Sequence, residues 1–133
     1  MFKTFSFKTK NHAELIDITG MVRTAVKDSK VNDGTCLVFV PHTTAGLTVN
    51  ENADPAVKQD IVAKLEKMIE WNDPEYKHTE KNSAAHIKSS LVGFSHAFII
   101  HNGNLQLGNW QNIYFAEFDG PRSRSVLVHI MGK

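Results

Sequence analysis

Cysteine is nearly absent. Cys36 is the only one among 133 residues, so no disulfide can close within the chain, which fits a reducing compartment. It stands inside an apolar run and reads as a small core side chain, with no neighbour to activate it as a nucleophile. A surplus of one charge is also missing. With 15 basic and 14 acidic residues the net charge is +1, so no field draws the chain to nucleic acid or to an anionic membrane. Neither is expected as a partner, and any anion must be recognised by a local cluster. No apolar run approaches the roughly 20 residues of a bilayer span, and Met1 to Phe7 alternates rather than forming the apolar core of a signal peptide. The expected location is cytoplasmic. There is no Walker loop, no dinucleotide fingerprint, no activated serine and no His-x-x-x-His pair of a helical zinc site.

What is present is an ordinary globular composition, 41% hydrophobic and 22% charged, over a length that suits one domain spanning residues 1–133. Strands are expected at the N-terminus, over Glu14 to Ile18, Thr35 to Val40, Leu47 to Asn50, His96 to His101, Ile113 to Phe118 and Ser125 to Ile130. Thr19 is placed to cap a helix from Gly20 to Lys30. Asp54-Pro55 is the clearest helix start, followed by Val57, Ile61, Leu65, Met68 and Ile69 at helical spacing, with Lys58 facing out. A loop from Trp71 to Asn82 precedes a helix from Ser83 to Leu91, which Gly93 closes in a left-handed cap. Helices interrupt the strands irregularly and tight turns join the last ones. That pattern predicts an α+β fold with a mixed or antiparallel sheet packed against two to three helices.

Two constellations carry chemistry. In the first, a β-branched run stops at Pro41 and is followed by His42, Thr43 and Thr44, then by a second apolar segment ending in Asn50, Glu51 and Asn52. An imidazole, two hydroxyls and a carboxylate around a corner between strands form a site presented by a rigid scaffold, or equally a polar turn that satisfies its own backbone. The second runs from Gly108 through Trp110 and Gln111 to Glu117, Asp119, Arg122 and Arg124. Arg122 and Arg124 share a face if extended and can clamp a phosphate. Glu117 and Asp119 can hold a cation or pair with the arginines in a structural hairpin. Trp110 offers a ring for stacking or for the core. Asn82 and Ser83 open a helix whose N–H groups can meet an anion or be capped. Of seven histidines, His42, His78 and His86 sit at a strand end, in the long loop and at a helix start. From separate elements they can converge on a zinc ion. His96, His101 and His129 read as structural.

The runs Pro41 to Glu51, Asn82 to Gly93, and Gly103 to Ile113 continuing through Glu117 to Arg124 resemble, in order and across essentially the whole chain, three signatures of the YjbQ family. Asn109 departs from the threonine expected in the Gly-Thr-Trp-Gln run. The resemblance implies an α+β homotrimer and a secondary thiamine-phosphate synthase activity, joining a pyrimidine diphosphate to a thiazole phosphate with release of pyrophosphate. It maps the family's histidines onto His42, His78 and His86, and its polar cluster onto Glu51, Asn82, Trp110, Gln111, Asp119, Arg122 and Arg124. A divalent ion, Zn or Mg, is expected on the three histidines. His42, Glu51, Asp119 and Arg122 are the expected catalytic groups, and Thr43, Thr44, Asn82, Ser83, Trp110, Gln111 and Arg124 the expected contacts to a small phosphorylated substrate. Two other readings use the same residues: a metal-dependent hydrolase of a phosphorylated or acylated metabolite, and a non-catalytic trimeric protein that binds an anion or a metal.

Overall fold

A computed structural model describes residues 1–133. In chain order it contains β1 (Phe2–Lys8), β2 (Glu14–Asp17), α1 (Thr19–Ser29), β3 (Gly34–Phe39), β4 (Ala45–Glu51), α2 (Pro55–Met68), α3 (Ser83–Val92), β5 (Ser95–His101), β6 (Asn104–Leu105), β7 (Gln111–Glu117) and β8 (Ser123–Gly132). The strands pair antiparallel in two sheets, a five-stranded one ordered β1-β8-β3-β5-β6 and a three-stranded one ordered β2-β7-β4. The α+β class expected from the sequence is what the chain adopts.

The molecule is layered. Cys36, Val38, Phe98, Ile100, Val126, Val128 and Ile130 of the larger sheet face Ala45, Leu47, Ile113 and Phe115 of the smaller one, and Val22, Ala25 and Val26 of α1 join them. On its other face the smaller sheet presents Tyr114, Ala116 and Phe118, which pack with Ala85 of α3 and half-buried Ile61, Val62 and Leu65 of α2. β7 is therefore apolar at nearly every position from Ile113 to Phe118, because both its faces are covered. The outer face of the larger sheet is covered by nothing in the chain. Phe2, Leu37, Phe39, Leu127 and His129 line a shallow cavity there, and Ile99 and Met131 stand exposed beside it. In the N-terminal strand, Phe5 and Phe7 turn inward and Phe2 outward.

Local chemistry explains most element ends. Asp54 caps α2 by accepting the Ala56 N–H at 2.9 Å, with Pro55 in the first turn. Asn102 and Gly103 both have positive φ, +50° and +74°, as a tight hairpin turn requires. Three expectations need correction. Thr19 does not cap α1. Its N–H donates to Asp17 Oδ1 at 2.9 Å while its hydroxyl oxygen accepts the Ile113 N–H at 2.8 Å, so the threonine ties the helix start to β7. Lys58 of α2 does not face out: its Nζ lies 5.9 Å from the Tyr114 ring centre, beside Ile61 and Leu65 of the apolar stripe, which pack half-buried on the smaller sheet while Met68 stays exposed. Gly93 has φ +94° and ψ 172°, a positive-φ conformation open to glycine that swings the chain into β5 and lies outside the left-handed helical well of the expected cap.

Phe115 touches both ends of this arrangement, its ring 5.0 Å edge-on from Phe7 and 6.3 Å from His42. Phe115→Ala is expected to cost about 3–5 kcal/mol of stability, read as a lower urea midpoint with unchanged slope.

Candidate functional site

The segment after β3 and the turn between β7 and β8 meet at one end of the smaller sheet. Glu117 holds them there. Its side chain is fully buried, and its carboxylate takes Arg124 Nε at 2.8 Å on Oε1 and Arg124 Nη2 on Oε2. Oε1 also accepts the Thr9 hydroxyl at 2.7 Å, and Oε2 accepts the N–H groups of Phe118 and Asp119 at 3.0 Å each. Burial alone would raise the Glu117 pKa, but these hydrogen bonds and the Arg124 charge outweigh it and hold the carboxyl below its ordinary value. Arg124 Nη2 continues to Thr44, donating to its Oγ1 at 2.9 Å and its carbonyl at 3.3 Å, so the ion pair also fixes the start of β4. Gly120 is required in this cluster: a Cβ there would lie 2.1 Å from the Asn11 carbonyl oxygen.

Asp119 secures the other wall. Its Oδ2 accepts Asn82 Nδ2 at 2.9 Å and Arg122 Nη2 at 2.8 Å, joining the turn to the start of α3. Asn82 is buried without capping α3 through its side chain. Its Oδ1 is the one buried side-chain polar atom lacking a hydrogen-bond partner, an acceptor that a donor on a bound molecule would satisfy. No acidic residue occupies the first turn of α3, which leaves that end of the helix favourable to an anion.

His42 lies where β3 has ended. The pairing of β3 with β8 stops at Phe39 opposite Leu127, and two residues further along β8 the Ser125 N–H donates to His42 Nε2 at 2.9 Å. The imidazole thus takes the place of a strand carbonyl. Burial and then the Arg124 charge hold its pKa below the usual histidine value, against the pull of the Glu117 carboxylate. The Ser125 bond acts in the same direction, because it consumes the lone pair that a proton would need.

These walls enclose an open cavity of about 330 Å³ lined by Pro41, His42, Thr43, Thr44, Glu80, Asn82, His86, Arg122 and Arg124, none of them hydrophobic. A second cavity of about 520 Å³ adjoins it at His86 and includes Tyr76, His78, Ser83 and Ile87. The sequence-predicted residues therefore divide. His42, Thr43, Thr44, Asn82, Arg122 and Arg124 come together with His86, while Ser83 and His78 border the adjoining cavity, the His78 ring 5.3 Å from that of His86. Asp119 stands behind the wall with its carboxylate engaged. Glu51, Trp110 and Gln111 are not brought in. Glu51 pairs with Gln111 at the far end of the β4–β7 ladder, whose near end is Ala45 opposite Glu117, a separation of about 20 Å along the strand. Trp110 is 65% exposed there, neither core nor part of the cavity. Arg122 and Arg124 do not form a twin clamp either, since Arg124 is 6% exposed and committed to Glu117. Glu80, Thr9 and the Ser125 backbone were not anticipated. Glu80 stood two residues before Asn82 as a signal, whereas the other two contacts depend on pairing far apart in the chain.

The three histidines do not fit a metal centre as they stand. No group of three or more His, Cys, Asp or Glu side chains is arranged to hold an ion, and the Nε2 lone pair of His42 is already spent on Ser125.

Fold and site together define a small α+β protein of two antiparallel sheets with a predominantly polar cavity, lined by two arginines and two histidines, at one end. The family model described as UPF0047 protein YjbQ-like matches residues 3–133, and the chain belongs to that family. It is 53% identical to a UPF0047 protein of Methanocaldococcus jannaschii over 99% of this chain and 94% of that one. It is 47% identical to UPF0047 protein YugU of Bacillus subtilis over 99% and 100%. Among solved structures, an uncharacterized YjbQ/UPF0047 family protein of Clostridium acetobutylicum superposes with TM-score 0.94 at 55% identity, covering 97% of this chain and 99% of that chain. A protein of unknown function from Sulfolobus solfataricus superposes with TM-score 0.95 at 34% identity, covering 100% and 97%.

Two outcomes test the Glu117 cluster. Glu117→Ala leaves Arg124 buried without a counter-charge and is expected to cost about 3–5 kcal/mol in urea unfolding. Because the Glu117 pKa is depressed on folding, its contribution is complete above the ordinary carboxylate range and is lost as pH falls through the folded value. Stability of the wild type should therefore fall more steeply on acidification than that of Glu117→Gln, measured by urea titration at a series of pH values.

Proposed function

We propose that this protein is an enzyme acting on small phosphorylated molecules, a transferase of the thiamine-phosphate synthase type. In that reaction the bond between the pyrimidine methylene carbon and the diphosphate oxygen breaks, its electron pair leaves on pyrophosphate, and the thiazole nitrogen bonds to the carbon. The observation that carries the reading is the composition of the cavity: eight of its nine lining side chains are polar or charged, Pro41 being the exception, and they include both donors and acceptors. Arg122 keeps part of its guanidinium in solvent beyond the bond to Asp119, and can meet charge that develops on a leaving phosphate. Thr43 offers an exposed hydroxyl, and the uncapped first turn of α3 adds backbone donors. The adjoining cavity at His86 supplies room, with Tyr76 and Ile87, for the ring of a second substrate. The assay is direct. Purified protein supplied with the two phosphorylated halves should form thiamine phosphate, and Arg122→Ala should reduce the rate at least a hundredfold while the protein stays folded. Absence of product from the wild type ends the transferase reading.

The proposal includes assembly as a homotrimer and a cytoplasmic location. The uncovered apolar face carrying Phe2, Leu37, Phe39, Ile99 and Leu127 supports association with further copies. Given the separation within one chain, Glu51, Trp110 and Gln111 can serve the His42 cavity only from a neighbouring copy. Sedimentation should give a mass three times that of the chain, and Ile99→Asp should shift it towards the monomer.

A further inference from the structure

We propose that His42 serves the cavity as a fixed, uncharged Nδ1–H donor to an anionic oxygen of the ligand, and not as a metal ligand. The inference rests on the reading of this cavity as a phosphate site and names what one of its walls does there. A backbone N–H can only donate, so the 2.9 Å contact from Ser125 N requires a lone pair on His42 Nε2. A neutral imidazole with its lone pair on Nε2 carries its proton on Nδ1. That N–H has no acceptor within the protein, and it is not among the buried atoms left unpaired, so it is open to the cavity that His42 lines.

Three consequences follow from this tautomer. A metal cannot bind Nε2 without breaking the contact that stands in for the end of the β3–β8 ladder. It cannot bind Nδ1 without removing that atom's proton. The ring likewise has no free lone pair with which to act as a base from the cavity side. What remains is donation, and the groups around it suit an anionic acceptor: Arg122, the neighbouring threonine hydroxyls and His86 line the same cavity, as does Glu80, with the Arg124–Glu117 pair buried beside them. The arrangement is paid for by the scaffold, since Ser125 is held by the β1–β8 pairing whether or not a ligand is present. His42 is thus set before binding, which lowers the ordering cost of the contact.

Long-range ¹H–¹⁵N spectra of the full chain labelled in histidine read the tautomer directly. His42 should show a lone-pair Nε2 and a protonated Nδ1 at neutral pH, and added inorganic pyrophosphate should move the Nδ1 signals while leaving Nε2 bonded. His42→Ala should weaken pyrophosphate binding about tenfold by calorimetry. His42→Asn, whose amide can place an N–H near the Nδ1 position, should restore part of it, a rescue that a purely structural histidine would not show. Zinc ion added alone should not shift the His42 nitrogens. A protonated Nε2, a zinc-induced shift of either His42 nitrogen, or pyrophosphate affinity unchanged in His42→Ala would overturn this inference while leaving the anion site standing. Failure of the intact protein to bind pyrophosphate would overturn both.

Discussion

One buried ion pair organises this molecule. Glu117 and Arg124 come from β7 and β8, strands of different sheets, and their contact ties the two sheets together at the end where the cavity forms. Desolvating both charges is costly, and the cost is offset only because every lone pair of the carboxylate finds a donor: the guanidinium, the Thr9 hydroxyl and two backbone N–H groups. Such a pair has only one good geometry. It therefore fixes Thr44, the turn through Asp119 and, through Asn82, the start of α3. The cavity is the space left between elements that this pair has already positioned.

The scaffold and the site cannot be separated at His42. Its ring extends the β3–β8 ladder and lines a cavity with the same five atoms, and the strand bond decides which nitrogen faces that cavity. Sequence signatures record such a residue as one position, without saying which nitrogen faces where. The three histidines look interchangeable as ligands when read along the chain. In space they differ: one is bonded to a strand, and the other two lie edge-on to each other beside a second cavity.

Much of the fold was legible in the sequence because its signals are local. Asp54-Pro55, Asn102-Gly103 and the alternation of β8 each act through neighbours a few residues apart, and each element formed where those signals stood. The α2 stripe does turn inward, yet its residues are only half-buried, because periodicity reports which face turns inward but not how deep the helix sits, and this helix lies on the outside of the smaller sheet. The site was legible as a set of residues and not as a constellation. Pro41 to Thr44, Asn82 and Arg122 did converge, yet the same signatures also contain Glu51, Trp110 and Gln111, which a rigid ladder carries to its opposite end. Arg124 could be read as a phosphate clamp because nothing in the one-dimensional pattern shows that Glu117 has no water around it.

The Ser125 amide has an acceptor that belongs to a side chain and not to a neighbouring strand. Its exchange with solvent is governed by excursions of one imidazole about χ1 and χ2, rather than by separation of β8 from its neighbours. A molecule that immobilises the ring would slow that single proton while the amides around it kept their rates, so the sheet carries a built-in reporter of occupancy a few ångströms from where occupancy occurs.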